Sequence, residues 1–565
     1  MMMEPKNEVN DGFRPLSEIE IKTLEMRGCF AEDWASIFIS PALDISKINK
    51  VRFKGNVYIE EGVALFNIPG GISGCTIRKN VIIENVASIE FEPEAVHGVG
   101  TLVSVLDETG SRNVCIYPGL SSQIATLMAR EPKWLNQNLE LTIRDFIEKK
   151  ITPPEIGEAT IIRNSGPIKN VSIGREVTIE GASRLQNGSV INNAAPGKSF
   201  TFIGSGVEAE NFILEDGKIE SKSLISNCYI GQGAVIAHGF SAHDSLFFAN
   251  CSMENGEAHS LLAGPYTVSM HKGTLLIGCQ TSFMNAGSTT NQSNHMYKLG
   301  PVHWGVLERG VKTSSGSYLM LGAKIGAFSL LMGSHKTHPD SSEFPFSYLF
   351  GDERGATVVV PAVMLRSCGL LRDEMKWPNR DRRLKRKLPL HDLITFHVLN
   401  PFTVDTMLKA IQTIEELLTK PADDDLYMRY KGMKFTRAAL ERARTLYTLA
   451  IFKYLSVKLP DSVIPEPDDS EAMEWVDLGG EIIPRHYLEK VLKTDDIDEA
   501  VSILTEAFER YNELETKWIS NRFGDWWRQR QQHISINAQR FDEMIEEDRQ
   551  QYLQMLSRET EMLKL

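Results

Sequence analysis

Ile173-Gly174-Arg175-Glu176-Val177-Thr178 opens a stretch in which Ile173, Ile179, Leu185, Ile191 and Ile203 fall on a six-residue grid. The grid returns at Leu307, Thr313, Leu319, Ile325 and Leu331. Four positions after most of these stands a small or β-branched residue: Val177, Ser183, Ser189, Ala195 and Val207, then Val311, Ser317, Ala323 and Ser329. A helix repeats every 3.6 residues and an ordinary strand every two, so a sustained period of six fits neither. A coil of short strands joined by tight corners does fit, with one aliphatic per hexad pointing into a narrow interior. Each such coil buries its apolar face only against its neighbours, which is the signature of a solenoid.

Working outward, the hexads are regular from about 156 to 254, break over 255–305, resume from Leu307 to Met332, and break again over 333–356. A last coil is expected to carry Val359, Leu365 and Leu371. The first break contains Ala286-Gly287-Ser288-Thr289-Thr290-Asn291-Gln292-Ser293-Asn294, a polar run with no core-facing period. Long loops on a rigid scaffold are where function concentrates. Upstream, residues 14–27 read as a short helix with Ser17 as N-cap and Gly28 as its stop. Val51, Val57 and Val63 are again six apart and read as a first piece of solenoid or a sheet that caps it. Leu120–Lys150 reads as a helical interlude with Ile124, Leu127, Met128, Leu139 and Ile143 on its apolar side. After Pro389 the period becomes helical, in the stripes Met407, Ile411, Ile414, Leu418 and Leu440, Tyr447, Ile451, Leu455. Pro465-Glu466-Pro467-Asp468-Asp469 is a linker by composition. Beyond it come three helices with Trp518, Trp526 and Trp527 as packing core, and a charged last helix carrying Met544, Ile545, Tyr552, Met555 and Leu556. The resulting division is a mixed region over 1–150, a parallel β-helix over 151–387 and an α-helical domain over 388–565.

At 565 residues the chain is long enough for two or three units. A formal charge of −13 excludes a dedicated nucleic-acid binder, whose footprint is basic. No run is apolar enough to span a bilayer, and Met1–Asn10 lacks the apolar core of a signal peptide. Seven cysteines scattered singly read as reduced thiols, so a cytoplasmic location is expected.

Eight of thirteen histidines lie between His238 and His338. A solenoid interior needs aliphatics and its corners need Gly, Asn and Asp, so this clustering points to acid–base or metal chemistry. The densest pattern is Ile236-Ala237-His238-Gly239-Phe240-Ser241-Ala242-His243-Asp244, which sits on the grid. The loop Asn291–Trp304 offers Asn291, Gln292, Asn294, His295, Lys298 and His303, donors and acceptors suited to a sugar or phosphate; a self-satisfied loop is the alternative. A basic run holds Arg372, Lys376, Arg380, Arg382, Arg383, Lys385, Arg386 and Lys387, with Arg372, Lys376, Arg380 and Arg383 as candidates for phosphate recognition or else a solvated helix entry.

The hexads resemble those of the hexapeptide-repeat, left-handed parallel β-helix superfamily, most of whose known members are acyltransferases. Ala242-His243-Asp244 is similar to the Ala-His-Asp of its UDP-N-acetylglucosamine acyltransferase branch. That resemblance implies His243 as general base, Asp244 orienting it and His238 beside them. It implies an acyl thioester such as a coenzyme A thioester as co-substrate, a sugar or nucleotide-sugar acceptor, and a homotrimer. His238 and His243 also resemble the His-x-x-x-x-His zinc ligands of γ-type carbonic anhydrases, with Asn192 standing where a third histidine belongs. No metal ligand set is assigned. A non-catalytic ligand-binding or assembly scaffold, with residues 388–565 contacting a partner, is the third reading. As a whole the chain resembles a bacterial β-helix family of unknown function.

Overall fold

The computed structural model describes residues 12–134, 144–293, 303–422, 426–458 and 473–531, with 550, 553–554, 557–558 and 561. Its body is a parallel β-solenoid with three short faces per coil. Along one face Ile59 pairs with Ile77, Ile77 with Ile156, Ile156 with Ile173 and Ile173 with Val190. A second face stacks Ile162, Ile179, Ile203 and Ile219, and a third stacks Ile168, Leu185, Ala209 and Ile225. All of these point inward and are buried.

From Ile156 to Val190 the six-residue grid is right at two corners of each coil and wrong at the third. From Ile162 to Ile168 is six residues, but from Leu185 to the next inward residue, Val190, is five. Ile191 therefore turns half outward, where the grid had placed it inside. The missing residue is absorbed at a tight corner. There Asn170, Asn187, Asn211 and Asn227 adopt φ of 55, 48, 51 and 52°, a region that asparagine tolerates better than other side chains. Each amide donates to the oxygen of the next: Asn170 to Asn187 (3.4 Å), Asn187 to Asn211 (3.2 Å), Asn211 to Asn227 (3.0 Å) and Asn227 to Asp244 (3.0 Å). Further along, Leu307, Thr313, Leu319, Ile325 and Leu331 keep strict steps of six, and all five are buried.

The solenoid begins near the N-terminus. Helix Glu18–Met26 is capped by Ser17 in a reciprocal box with Glu20, and Gly28 (φ 76°) follows it. Residues 50–92 are coils of the same solenoid, and Ile77 pairs directly with Ile156, so residues 91–154 are an insertion between neighbouring coils. The insertion folds over the first face. Its hairpin Leu102–Ser104/Asn113–Cys115 packs there; the Ser189 hydroxyl donates to His97 O (2.7 Å), and Leu106 N donates to Ser260 O (2.8 Å). Helix Ser122–Arg130 is buried along almost its whole length, and Leu139 and Ile143 lie outside the described residues.

The corner between the first and second faces is aromatic. Tyr266, Phe283, Phe328 and Phe346 hold φ of 60, 52, 56 and 58°, a strained conformation for such side chains. Their rings stack in pairs, Tyr266 on Phe283 (5.5 Å) and Phe328 on Phe346 (5.3 Å). Between the pairs sits Gly310 (φ 73°), where an added Cβ would meet the Phe328 ring at 2.1 Å. Trp377 covers the gap, 4.7 Å from Phe283 and 6.4 Å from Phe328. Residues 380–396 then form a strap back along this corner, with Gln232 donating to Pro389 O (2.7 Å) and Ala195 N to Arg386 O (3.3 Å).

The expected last coil with Val359, Leu365 and Leu371 does not form. Thr357–Val360 turns back antiparallel on Tyr348–Gly351, and Cys368–Asn379 is a helix. This hairpin pairs onward with Met433–Thr436, so the end of the sheet is covered rather than left open. The helical region holds Pro401–Leu418, Arg437–Lys458, Arg485–Val491, Ile497–Glu509 and Tyr511–Gln531, with two hairpins besides. Met407, Ile411, Ile414, Leu440, Tyr447, Ile451 and Leu455 are core, and Trp518 is buried beside Tyr454. The side chains of Trp526 and Trp527, the linker Pro465–Asp469, and Met544, Ile545, Tyr552, Met555 and Leu556 lie outside the described residues. No described helix is long and apolar enough to cross a membrane.

Candidate functional site

Four of the eight clustered histidines meet along one edge of the solenoid. His243 and His259 occupy the same outward position on successive coils of the third face, with ring centroids 6.1 Å apart. Strand Ser241–Phe247 fixes the first: Ala242 points inward, His243 outward, and Asp244 begins the corner. The His243 Nε2 lies 3.3 Å from the Ser241 hydroxyl. His259 Nε2 lies 3.1 Å from the carboxylate of Glu108, which the insertion brings from the loop joining its two strands. Further along the edge the His303 and His338 rings are 5.8 Å apart, and His338 Nδ1–H donates to Leu321 O. The Arg112 guanidinium of the same insertion loop lies 4.5 Å over the Trp304 ring. The 105–112 loop thus lies beside this histidine edge, touching it at His259 and Trp304, and the strip between loop and strands is called the groove below.

The other expected residues disperse. Asp244 has φ 46° and ends the asparagine ladder, its carboxylate accepting from Asn227, so it serves the corner beside His243. His238 stands at the corner where the third face opens, half-exposed, 3.8 Å from Glu254 of the next coil. His335 is fully buried inside the coil with Nδ1 2.9 Å from the Thr357 hydroxyl, and burial pushes its pKa down to about 4. It is a core residue. Gln292 also points inward, its carbonyl accepting from Ile277 N (3.0 Å), while Asn291 faces outward and is partly buried. Asn294, His295 and Lys298 lie outside the described residues, and His303 is described. Asn192 donates to Arg175 O (2.9 Å) and accepts from Ala194 N (3.1 Å), which uses both ends of its amide. Among the described residues no group of three or more metal-binding side chains comes together.

The basic candidates do not converge. Arg372 approaches Asp373 (3.4 Å), Lys376 lies a turn further on the same helix, and Arg380 is exposed beyond its end. Arg383 is buried and turned inward, its guanidinium on Asp381 (2.8 Å) and Asp392 O (2.7 Å).

A second buried polar cluster ties the strap to the solenoid. His391 Nε2 lies 2.9 Å from Glu215 Oε1, while Glu215 Oε2 accepts from Tyr229 Oη (2.9 Å) and Gly119 N (2.9 Å). Burial alone raises the Glu215 carboxyl, but the His391 charge and these donors outweigh it and hold the pKa below its ordinary value. Burial likewise opposes a charge on His391, and the Glu215 carboxylate reverses that and raises its pKa. Glu108, Glu215 and His391 carry no local motif; only the packing of the insertion and strap brings them to these places.

Residues 13–76 and 56–418 match the family described as "Domain of unknown function (DUF4954)". The chain belongs to the DUF4954 family. The matched region takes in the solenoid, its insertion, the strap and the first long helix of the helical region, so groove and strap fall within one family unit. Residues 462–560 match a second family, "Domain of unknown function (DUF6819)". An "Uncharacterized protein" of Treponema pallidum (strain Nichols) is 24% identical over 458 residues. That alignment spans 72% of this chain and 62% of the relative's length.

Proposed function

We propose that the DUF4954 solenoid transfers an acyl group from a thioester to a hydroxyl or amine of a sugar or nucleotide-sugar acceptor lying in the groove. The observation that carries this reading is the pair His243 and His259, 6.1 Å apart on a rigid strand ladder, with His259 held by Glu108. A half-exposed imidazole is suited to take the acceptor's proton as it attacks the thioester. In this reading His243 is the base. The orienting carboxylate is Glu108, acting through His259, because the Asp244 carboxylate is spent on Asn227. Backbone N–H groups of the groove loops would serve the developing oxyanion. Coils of 16–18 residues with three flat faces support the left-handed hexapeptide-repeat class. A homotrimer and a cytoplasmic location belong to the same reading. Light scattering that gives a monomer mass at every concentration removes the trimer.

The test is release of free thiol from acyl-coenzyme A in the presence of a panel of nucleotide sugars, run beside thermal shift with each ligand alone. Ligands that bind the native state raise its melting temperature. Acceptor-dependent thiol release supports acyl transfer, and stabilisation without thiol release supports the scaffold reading instead.

A further inference from the structure

A ring of cations surrounds Phe200, on the corner opposite the histidine groove. The coil between Val190 and Ile203 is longer than its neighbours, and the extra residues carry Phe200 out against the strap. The Arg386 guanidinium lies 4.0 Å from the centre of this ring, the Lys218 ammonium 4.6 Å and the Arg382 guanidinium 6.0 Å. Each contact is favourable by itself, but three like charges on one ring repel one another. Acids act on them, Glu254 on Arg382 and Asp216 on Arg386, but from outside ion-pair distance. Lys218 meets Glu220 at 3.4 Å, while neither Arg382 nor Arg386 has a carboxylate in ion-pair distance among the described residues. The Asp216 carboxylate is occupied by the backbone N–H and amide of Asn193. Arg382 donates to Gly233 O (2.6 Å) and to the Ser252 hydroxyl (3.3 Å), and Arg386 donates to Arg382 O, so both guanidiniums are held by neutral oxygens. Burial and mutual repulsion hold the pKa of Arg386 below its ordinary value.

We propose that Arg382, Arg386 and Lys218 bind a phosphate group, presented by a soluble phosphate ester or diphosphate. Arginine suits this role because its planar fork of N–H donors matches phosphate oxygens. The covered first face separates this corner from the groove, so the phosphate belongs to a ligand other than the acceptor held at His243.

The experiment is titration of the full chain with inorganic pyrophosphate and with ADP at low and high salt, followed by calorimetry and by thermal shift. Saturable, stoichiometric binding is expected, weakened about tenfold or more in Arg386→Gln and in Lys218→Gln through loss of a charged hydrogen-bond donor. Lys218→Gln guards against misfolding, since Lys218 is partly exposed and, among the described residues, makes no hydrogen bond or ion pair to the strap; its melting temperature without ligand should match wild type. Lys385→Gln, an exposed neighbour outside the ring, should bind as wild type does. Vesicles of phosphatidylglycerol form a separate arm. The proposal is overturned if pyrophosphate and ADP do not bind at millimolar concentration, or if both ring variants bind as tightly as wild type. Adsorption to the vesicles that pyrophosphate does not displace also overturns it, because the surface is then a general anionic contact.

Discussion

Asp244 distinguishes a corner residue from a catalytic one. Asp244→Ala removes the acceptor for Asn227, a bond of 3.0 Å to a charged oxygen, and forces an alanine to hold φ 46°. A hydrogen bond to a charged group is worth about 1.5–3 kcal/mol, reduced toward the lower end at this partly open edge. A left-handed alanine costs roughly 1–2 kcal/mol. The sum is about 3 kcal/mol. Asp244→Asn keeps an oxygen for Asn227 and keeps a residue that tolerates the left-handed corner, so its cost should stay below about 1 kcal/mol. Urea unfolding followed by circular dichroism compares the two, and hydrogen exchange at Asn227–Ser245 reports whether the loss is local. Equal stability of the alanine and asparagine variants would refute the ladder account of this corner. In an acyl-transfer assay, Asp244→Asn should retain most of the wild-type rate; a loss of about 10²-fold or more would return Asp244 to the role of orienting His243.

Gly310→Ala places a methyl 2.1 Å from the Phe328 ring at φ 73°, so it should cost about 3 kcal/mol or more through overpacking and backbone strain, read as a lower urea midpoint. Trp377→Ala uncovers the aromatic corner and should cost about 3–5 kcal/mol with increased dye binding to exposed apolar surface. The His391–Glu215 pair makes the strap sensitive to pH. The raised His391 pKa contributes stability that is fully present below the unfolded histidine value and is lost as pH rises through the folded one. The lowered Glu215 pKa contributes stability that is present above the unfolded carboxylate value and lost as pH falls through the folded one. The pair therefore holds best in mildly acidic solution. Wild type should lose more stability than His391→Gln between pH 6 and pH 8 (about the window of an ordinary histidine), as followed by melting temperature.

The aliphatic period exposed the solenoid because one apolar residue per face is all that an inward ladder requires, and Ile173, Ile179 and Leu185 supply it. The slip at Val190 was hidden, since Val190 and Ile191 are both β-branched and apolar and only the corner geometry decides which turns inward. The aromatic corner was hidden for the opposite reason. Phe283 and Phe328 occupy a left-handed position where sequence reasoning looks for Gly or Asn, and they are accepted there because the strap and Trp377 bury their rings. In the groove, His243 was legible from its place on the grid. His259 became a partner, and Glu108 became visible at all, only once an insertion beginning at residue 91 had folded back across several coils. Within the basic run, spacing could not show which cations turn inward: Arg383 follows Asp381 by two residues and pairs with it inside the strap.

The central claim, that the histidine edge is the acyl-transfer site with His243 as base, is tested most directly by the acyl-transfer rate of His243→Ala under saturating thioester. A fall of about 10²–10⁴-fold is expected, with melting temperature and ligand-induced stabilisation unchanged, because the inward residues of strand Ser241–Phe247 are untouched. A variant that folds, binds and turns over at the wild-type rate would contradict it.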